Sequence, residues 1–544
     1  MADATFSGNI VDVVNQKIFP GKVTIANGRI ASIIPEPGVV YEQFILPGFI
    51  DAHIHIESSM MVPSEFARLA VVHGTVATVS DPHEIGNVLG VEGVRYMIRS
   101  GNQVPFHFFF GASSCVPATS FETAGATISA QDIRKLFVED KLKYLSEMMN
   151  YPGVLARDPL VMDKIAVAKE LGLPVDGHAP GLKGPEAERY ISAGISTDHE
   201  CFTLEEALDK IKYGMKILIR EGSAAKNYEA LHSLIASHPD LVMFCCDDKH
   251  PHELVKGHIN EIVKRSIVQH GYDQMDVLRC ACYHPVKHYK LDVGLLQVGD
   301  PADFIVVDNL RDLTILKTYI KGNLVAEKGK SLIPSTKNEI VNNFNTPLKK
   351  EEEFAIAGVS GMIRVIQALD GELITNKIEI EASVDKDHFT TDPKRDILKL
   401  AVINRYQKAP VSVAFIKGFG LKKGAIASCI AHDSHNVIAV GVTDSDICQA
   451  VNAIIDHKGG IAAAVDGNVD VLPLPVAGIM SAADGYLIAE NYSKLDQKAK
   501  AFGTNLYAPY MTLAFMALLV IPSLKLSDKG LFDVNSFSFT SLEL

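Results

Sequence analysis

Between residues 46 and 290, eight short apolar runs recur with helical stretches between them, and potential metal ligands stand directly after several of the runs. The runs lie at residues 45–54, 75–80, 105–110, 144–147, 174–176, 195–198, 216–220 and 241–245. Amphipathic stretches separate them, such as residues 204–213, which Gly214 closes. The span is roughly 245 residues, and about 250 is typical of a (β/α)8 barrel. A doubly wound α/β sheet is the competing architecture. Polar residues bunched just after the strands favour the barrel, whose active-site rim lies at the C-terminal ends of its strands.

The flanking segments carry a different pattern. Residues 1–45 hold strand-like runs at 10–14, 22–25 and 30–34, with turn signals at Asn27-Gly28 and 35–38. Residues 291–335 return to short runs at 304–307, 315–320 and 324–326. Each segment is too small to hold a core alone, so the two are expected to pack together as one small β-sandwich domain. Residues 336–352 are rich in Lys, Asn and Glu and suit a linker. Residues 353–544 read as a further α/β domain.

Composition narrows the function. The chain has 544 residues, 47% hydrophobic and 22% charged, as in a soluble globular protein of more than one domain. Fifty-two Lys and Arg against 65 Asp and Glu leave a net charge of −13, which argues against binding a nucleic-acid polymer or a membrane surface. A free nucleobase is not excluded by that charge. Trp is absent, so ring stacking would fall to Phe, Tyr or His. The eight Cys are sparse and show no small disulfide framework, and the N-terminus shows no signal-peptide pattern. Reduced thiols in a cytoplasmic protein are therefore expected. The longest apolar run, residues 510–521, is shorter than the about 20 residues that span a bilayer and reads as a buried helix.

The strongest local signal is Pro47-Gly48-Phe49-Ile50-Asp51-Ala52-His53-Ile54-His55. On a strand, residues i and i+2 share a face, so His53 and His55 can offer two imidazoles to one ion. Glu147, His178, His199 and the pair Asp247-Asp248 each end or follow a later run. On one barrel rim they make four imidazoles and two or more carboxylates, ample for two ions sharing a bridging carboxylate. Such a set suits Zn, Fe or Mn better than Mg or Ca. Other metal motifs fail on spacing. No His-Glu pair has a second His at the metalloprotease offset, and no Pro-Cys-x-x-Cys occurs, although His55-Ile56-Glu57 fits the first half of the zinc deaminase pattern.

Pro47 to His55 and the returning Val298-Gly299-Asp300-Pro301-Ala302-Asp303 resemble the amidohydrolase superfamily. Within it, Ser80-Asp81-Pro82-His83-Glu84, Glu147-Met148-Met149-Asn150-Tyr151, Asp176-Gly177-His178-Ala179-Pro180 and Ala431-His432-Asp433-Ser434-His435-Asn436 resemble bacterial-type adenine deaminases. The resemblance runs over nearly the whole chain. It implies a metal-dependent hydrolysis of adenine to hypoxanthine and ammonia, in purine salvage. It assigns His53, His55 and Asp247 to one divalent ion and His178 and His199 to a second, with Glu147 bridging. Mn or Fe is favoured over Zn, and Lys143 is the fallback if a carboxylated lysine bridges instead. A homo-oligomer, a dimer or higher, suits this architecture.

The chemistry sets further demands. Carbon 6 of adenine is a poor electrophile and ammonia a poor leaving group. A hydroxide must be available at neutral pH, which a coordinating metal supplies by lowering the pKa of water from 15.7 to about 7. Asp247 is the expected base for the water proton. Asp81, His83 and Glu84 are placed to meet the purine edge, with Glu84 as the acid for a ring nitrogen. Ser58, Ser59, Arg220 and Ser223 are expected as further purine contacts. Two alternatives remain open: a related amidohydrolase acting on an N6-substituted adenine or cyclic amide, and a catalytically silent binding paralogue. His432, Asp433 and His435 form either a second polar site or an interface.

Overall fold

The structure, a computed structural model, describes residues 4–544. Its centre is a ring of parallel strands: β1 (Phe49–His55), β2 (Thr75–Ser80), β3 (His107–Phe110), β4 (Leu145–Met148), β5 (Val175–Gly177), β6 (Thr197–Asp198), β7 (Lys216–Arg220) and β8 (Val242–Cys245). Asp247–Asp248 continues β8. Parallel pairing joins β1 to β2 and β2 to β3. Ala112, just past β3, bridges to Leu145 of β4, and β4 pairs with β5. Val175 bridges to Ile195 just before β6, and β6, β7 and β8 pair in order. Asp247 and Asp248 then pair with Ile54 and His55 of β1, which closes the circuit into a (β/α)8 barrel. Every residue of β1 and β2 is buried, as strands covered on both faces require.

The run at 45–54 is not one strand. It divides at Gly48, and Phe44–Pro47 joins the flanking sheet while β1 starts at Phe49. The backbone there passes so close to β2 that a Cβ on Gly48 would lie 2.3 Å from a Val76 methyl carbon. Only glycine fits, and the chain changes sheets at that point.

The two flanking segments share one eight-stranded sheet. Its order runs Lys330–Ser331, Asn323–Glu327, Ile315–Ile320, Phe304–Val307, Phe44–Pro47, Ala4–Asp12, Lys17–Ala26 and Arg29–Pro35. Ile10, Val23, Ile30 and Ile45 from the first segment pack with Phe304, Val306 and Tyr319 from the second.

The C-terminal region is a second eight-stranded sheet, from Met362–Ala368 to Asn468–Pro473, with the helices Asp444–Asp456 and Gly485–Ala501. Residues 336–350 form no helix or strand, yet they are anchored to both neighbours. Tyr96 donates to the Glu339 carbonyl at 3.1 Å, and Asn345 N–H donates to the Arg405 carbonyl at 2.8 Å. The apolar run at 510–521 is helical only over Pro509–Phe515 and continues as buried turns. Among the described residues, no helix is long and apolar enough to cross a membrane.

The C-terminal domain docks over the C-terminal mouth of the barrel. Ser481 N–H donates to the Met60 carbonyl at 2.9 Å, Ala225 N–H donates to the Gly371 carbonyl at 3.0 Å, and Asn436 donates to the Thr123 carbonyl at 3.0 Å. Those contacts place residues 431–436 beside the barrel rim.

Candidate metal centre and active site

His53, His55, Glu147, His178, His199 and Asp247 come from five different strand ends and meet in one buried cluster. His53 Nε2 and His55 Nε2 lie 3.3 Å and 3.0 Å from Asp247 Oδ1, and 3.3 Å from each other. Glu147 spans the cluster. Its Oε1 is 3.2 Å from His55 Nε2, while its Oε2 is 2.7 Å from His178 Nδ1 and 3.4 Å from His199 Nε2. The carboxylate that meets His53 and His55 is that of Asp247. Asp248 turns away and accepts from the Ser58 hydroxyl.

The backbone holds this set in place. Asp51 Oδ1 accepts from His53 N–H at 3.3 Å and Cys246 N–H at 3.1 Å, tying β1 to the end of β8. His258 Nε2 contacts the other Asp51 oxygen at 2.9 Å. Asp247 takes a left-handed backbone conformation, φ 56°, where strain in a non-glycine residue marks a functional constraint. Gly177 allows β5 to approach β6, because a Cβ there would lie 2.4 Å from the Thr197 carbonyl oxygen.

The donor set fits divalent metal. His55 Nδ1–H donates to the Asp81 carbonyl at 3.1 Å, which leaves the Nε2 lone pair facing the cluster. His53 Nδ1 and His178 Nε2 are buried without hydrogen-bond partners. His53, His55 and Asp247 form one group of converging ligand atoms, and His53, Glu147 and His199 another. Burial would push the Glu147 carboxyl up, but His178, His199 and His55 hold it well below the usual carboxylate range. Burial acts the same way on Asp247, and Arg220, His199, His53 and His55 overcome it.

A small pocket opens on the cluster. His83 and Glu84 line it from the first turn of the helix His83–Leu89, as expected. Glu57 Oε1 accepts from Ile85 N–H at 3.2 Å and anchors that turn. Glu84 is enclosed by imidazoles: His83 Nε2 at 3.3 Å and His432 Nδ1 at 2.6 Å from Oε1, and His435 Nε2 against Oε2. Burial opposes its ionisation, but His432, His435 and His83 hold its pKa well below the usual range. Against its burial, Glu84 and Asp248 raise His432 to about 9, whereas burial keeps His435 below its ordinary value. His83 is lowered by burial but raised well above its ordinary pKa by Cys115, Asp81 and Glu84.

The other expected purine contacts do not line this pocket and are hydrogen-bonded within the protein. Asp81 accepts from Ser146 at 2.7 Å and faces His83 Nδ1 at 3.1 Å, so it orients that ring. Arg220 is buried behind the cluster, with a bidentate pair to Glu200 and a contact of 2.6 Å to Asp247 Oδ2. Ser59 donates to the Ile56 carbonyl at 2.6 Å, and Ser223 donates to Glu253 at 2.6 Å. Ser58 lines a smaller neighbouring cavity with His250 and His432.

Sequence reasoning missed Glu200 and left His432, Asp433 and His435 without a place. Glu200 follows His199 directly and has His178 and His199 within 3.5 Å. Its adjacency to a ligand histidine was the available signal. His432, Asp433, Leu373, Phe515 and Leu518 form the pocket wall opposite the cluster, and only the docking of the C-terminal domain reveals this.

Residues 44–325 match the amidohydrolase family, and residues 372–538 match the adenine deaminase C-terminal domain. Among curated proteins, the chain is 55% identical to the adenine deaminase of Sulfurovum sp. over 98% of both chains. It is 52% identical to that of Salinibacter ruber, over 99% of this chain and 98% of the relative. With that of Methanosarcina mazei, the identity is 50% over 99% of both.

Proposed function

The chain belongs to the adenine deaminases of the amidohydrolase family, and from that premise we propose that it hydrolyses adenine to hypoxanthine and ammonia at the buried imidazole–carboxylate cluster. The observation that carries the reading is the convergence of four imidazoles and two carboxylates from five strand ends in one buried cluster, part of which lines the pocket.

In this reading His53, His55 and Asp247 would hold one divalent ion and His178 and His199 a second, with Glu147 shared and Mn or Fe ahead of Zn. Divalent metal in such a site supplies Lewis acidity and a hydroxide nucleophile at neutral pH. Asp247 takes the proton of the attacking water on Oδ1, because Arg220 already occupies Oδ2. The pair His83 and Glu84 delivers a proton to a purine ring nitrogen, with His83 Nε2 holding it 3.3 Å from Glu84 Oε1. Asp247 then returns its proton to the departing amine, and the hydroxyl proton left on C6 passes back to the His83–Glu84 pair as the carbonyl of hypoxanthine forms. Arg220 and Asp81 act through their neighbours, fixing Asp247 and His83. The reading extends to purine salvage in a cytoplasm and to a homo-oligomer; the sparse, buried, unpaired cysteines support a reducing compartment.

Ammonia release tests the substrate. The metal-loaded protein, offered adenine, N6-methyladenine, adenosine, cytosine and guanine in turn, is expected to release ammonia from adenine foremost. Preference for N6-methyladenine, seen as methylamine release, would move the assignment to an N6-substituted purine.

A further inference from the structure

The C-terminal domain builds one wall of the pocket, and that wall takes no part in the metal site or in the proton transfers. That wall contains one acid, Asp433, and it is not spent on the protein. Asp433 is 1% exposed, and its Oδ2 is buried without a hydrogen-bond partner. Its other oxygen stands 3.8 Å from His83 Nε2. The His83 ring bridges the distance to the cluster, with Nδ1 3.4 Å from Glu147 Oε1. His83 thus stands between Asp433 and Glu147, and Asp433 and His83 both line the pocket.

The remainder of the wall is apolar and fixed. Leu373, Phe515 and Leu518 line it, and the Phe515 ring lies 5.2 Å from that of His432 at 29°. The buried Lys525 ammonium donates to the carbonyls of Leu373 at 2.7 Å and Phe515 at 2.9 Å. Both lining segments are thus tied to one point.

A carboxylate only accepts, and burying it without a donor is costly. The chemical feature that a free purine base has and its nucleoside lacks is a donor, the N–H of the five-membered ring. We propose that Asp433 accepts that N–H, so that the C-terminal domain selects the free base over the nucleoside. The inference rests on adenine as the substrate. Burial pushes the Asp433 carboxyl up to about 6, with His83 and His432 pulling against Glu84, so at neutral pH it is an acceptor short of a donor.

Steady-state kinetics of the metal-loaded protein with adenine and 9-methyladenine test this, with metal content measured on every variant. The wild type is expected to favour adenine by about ten-thousandfold in kcat/KM, as sites built around a substrate N–H do. Asp433→Ala is expected to lower kcat/KM for adenine about thirtyfold or more while leaving 9-methyladenine unchanged or improved, so the preference falls by at least about thirtyfold. Asp433→Asn keeps an acceptor oxygen and should fall between the two. Metal content should stay at the wild-type level, since Asp433 lies outside the ligand set. Equal losses on both substrates, or an unchanged preference with full metal content, would overturn the proposal. A wild type that deaminates adenine but shows no preference over 9-methyladenine would overturn it and leave the proposed function standing. A wild type inactive on adenine would overturn both.

Discussion

Glu147→Gln is expected to lose bound metal and to turn over adenine at least about a thousandfold more slowly, because a shared ligand contributes several kcal/mol to the transition state and each 1.36 kcal/mol is tenfold. Both Glu147 oxygens are in use. Oε1 serves His55 and His53, and Oε2 serves His178 and His199. An amide replaces one acceptor oxygen with a donor group of the same size. That group cannot hold a cation, and it faces lone pairs that need one. The charge also changes: a buried anion is lost from among four imidazoles. Metal analysis and ammonia release on the same preparation check this. Full metal content with full turnover would show that Glu147 does not bridge.

Arg220→Met is expected to destabilise the fold by about 3–5 kcal/mol, the cost of leaving buried charges without their partner. Glu200 and Asp247 both lean on that guanidinium, and all three side chains are at most 9% exposed. Arg220 and the carboxylates hold each other ionised against burial, which alone would neutralise them. Arg220→Lys keeps the charge and loses the fork, so it should recover part of the stability. Urea unfolding with metal content held constant measures the difference. An unfolding midpoint equal to wild type for Arg220→Met would contradict the placement of Arg220 as a structural counter-charge. Activity should fall with stability, since Asp247 loses the contact that fixes its second oxygen.

The legible parts of this molecule were those written in local pattern. The barrel strands at 75–80 and 216–220 can be read from apolar runs because a strand covered on both faces needs a continuous one. The His53 and His55 pair can be read because the strand period of two brings them to one face. The break at Gly48 was not legible, since its cause is the side chain of Val76 on another strand. Arg220 and Ser223 look like pocket residues by position, yet their partners Glu200 and Glu253 lie 20 and 30 residues away. Glu84 reads from the sequence only as a carboxyl just after the second barrel strand. The imidazoles that keep it ionised arrive from residues 432 and 435, through a domain contact that no local pattern announces.

The most direct measurement is hypoxanthine and ammonia formation from adenine by chelated protein titrated with Mn²⁺. The account predicts no turnover without metal, then a rise that levels off at about two equivalents per chain, with the two products in equal amounts, as a two-metal hydrolase requires. Turnover by the fully chelated protein, or none with Mn, Fe or Zn, would contradict it.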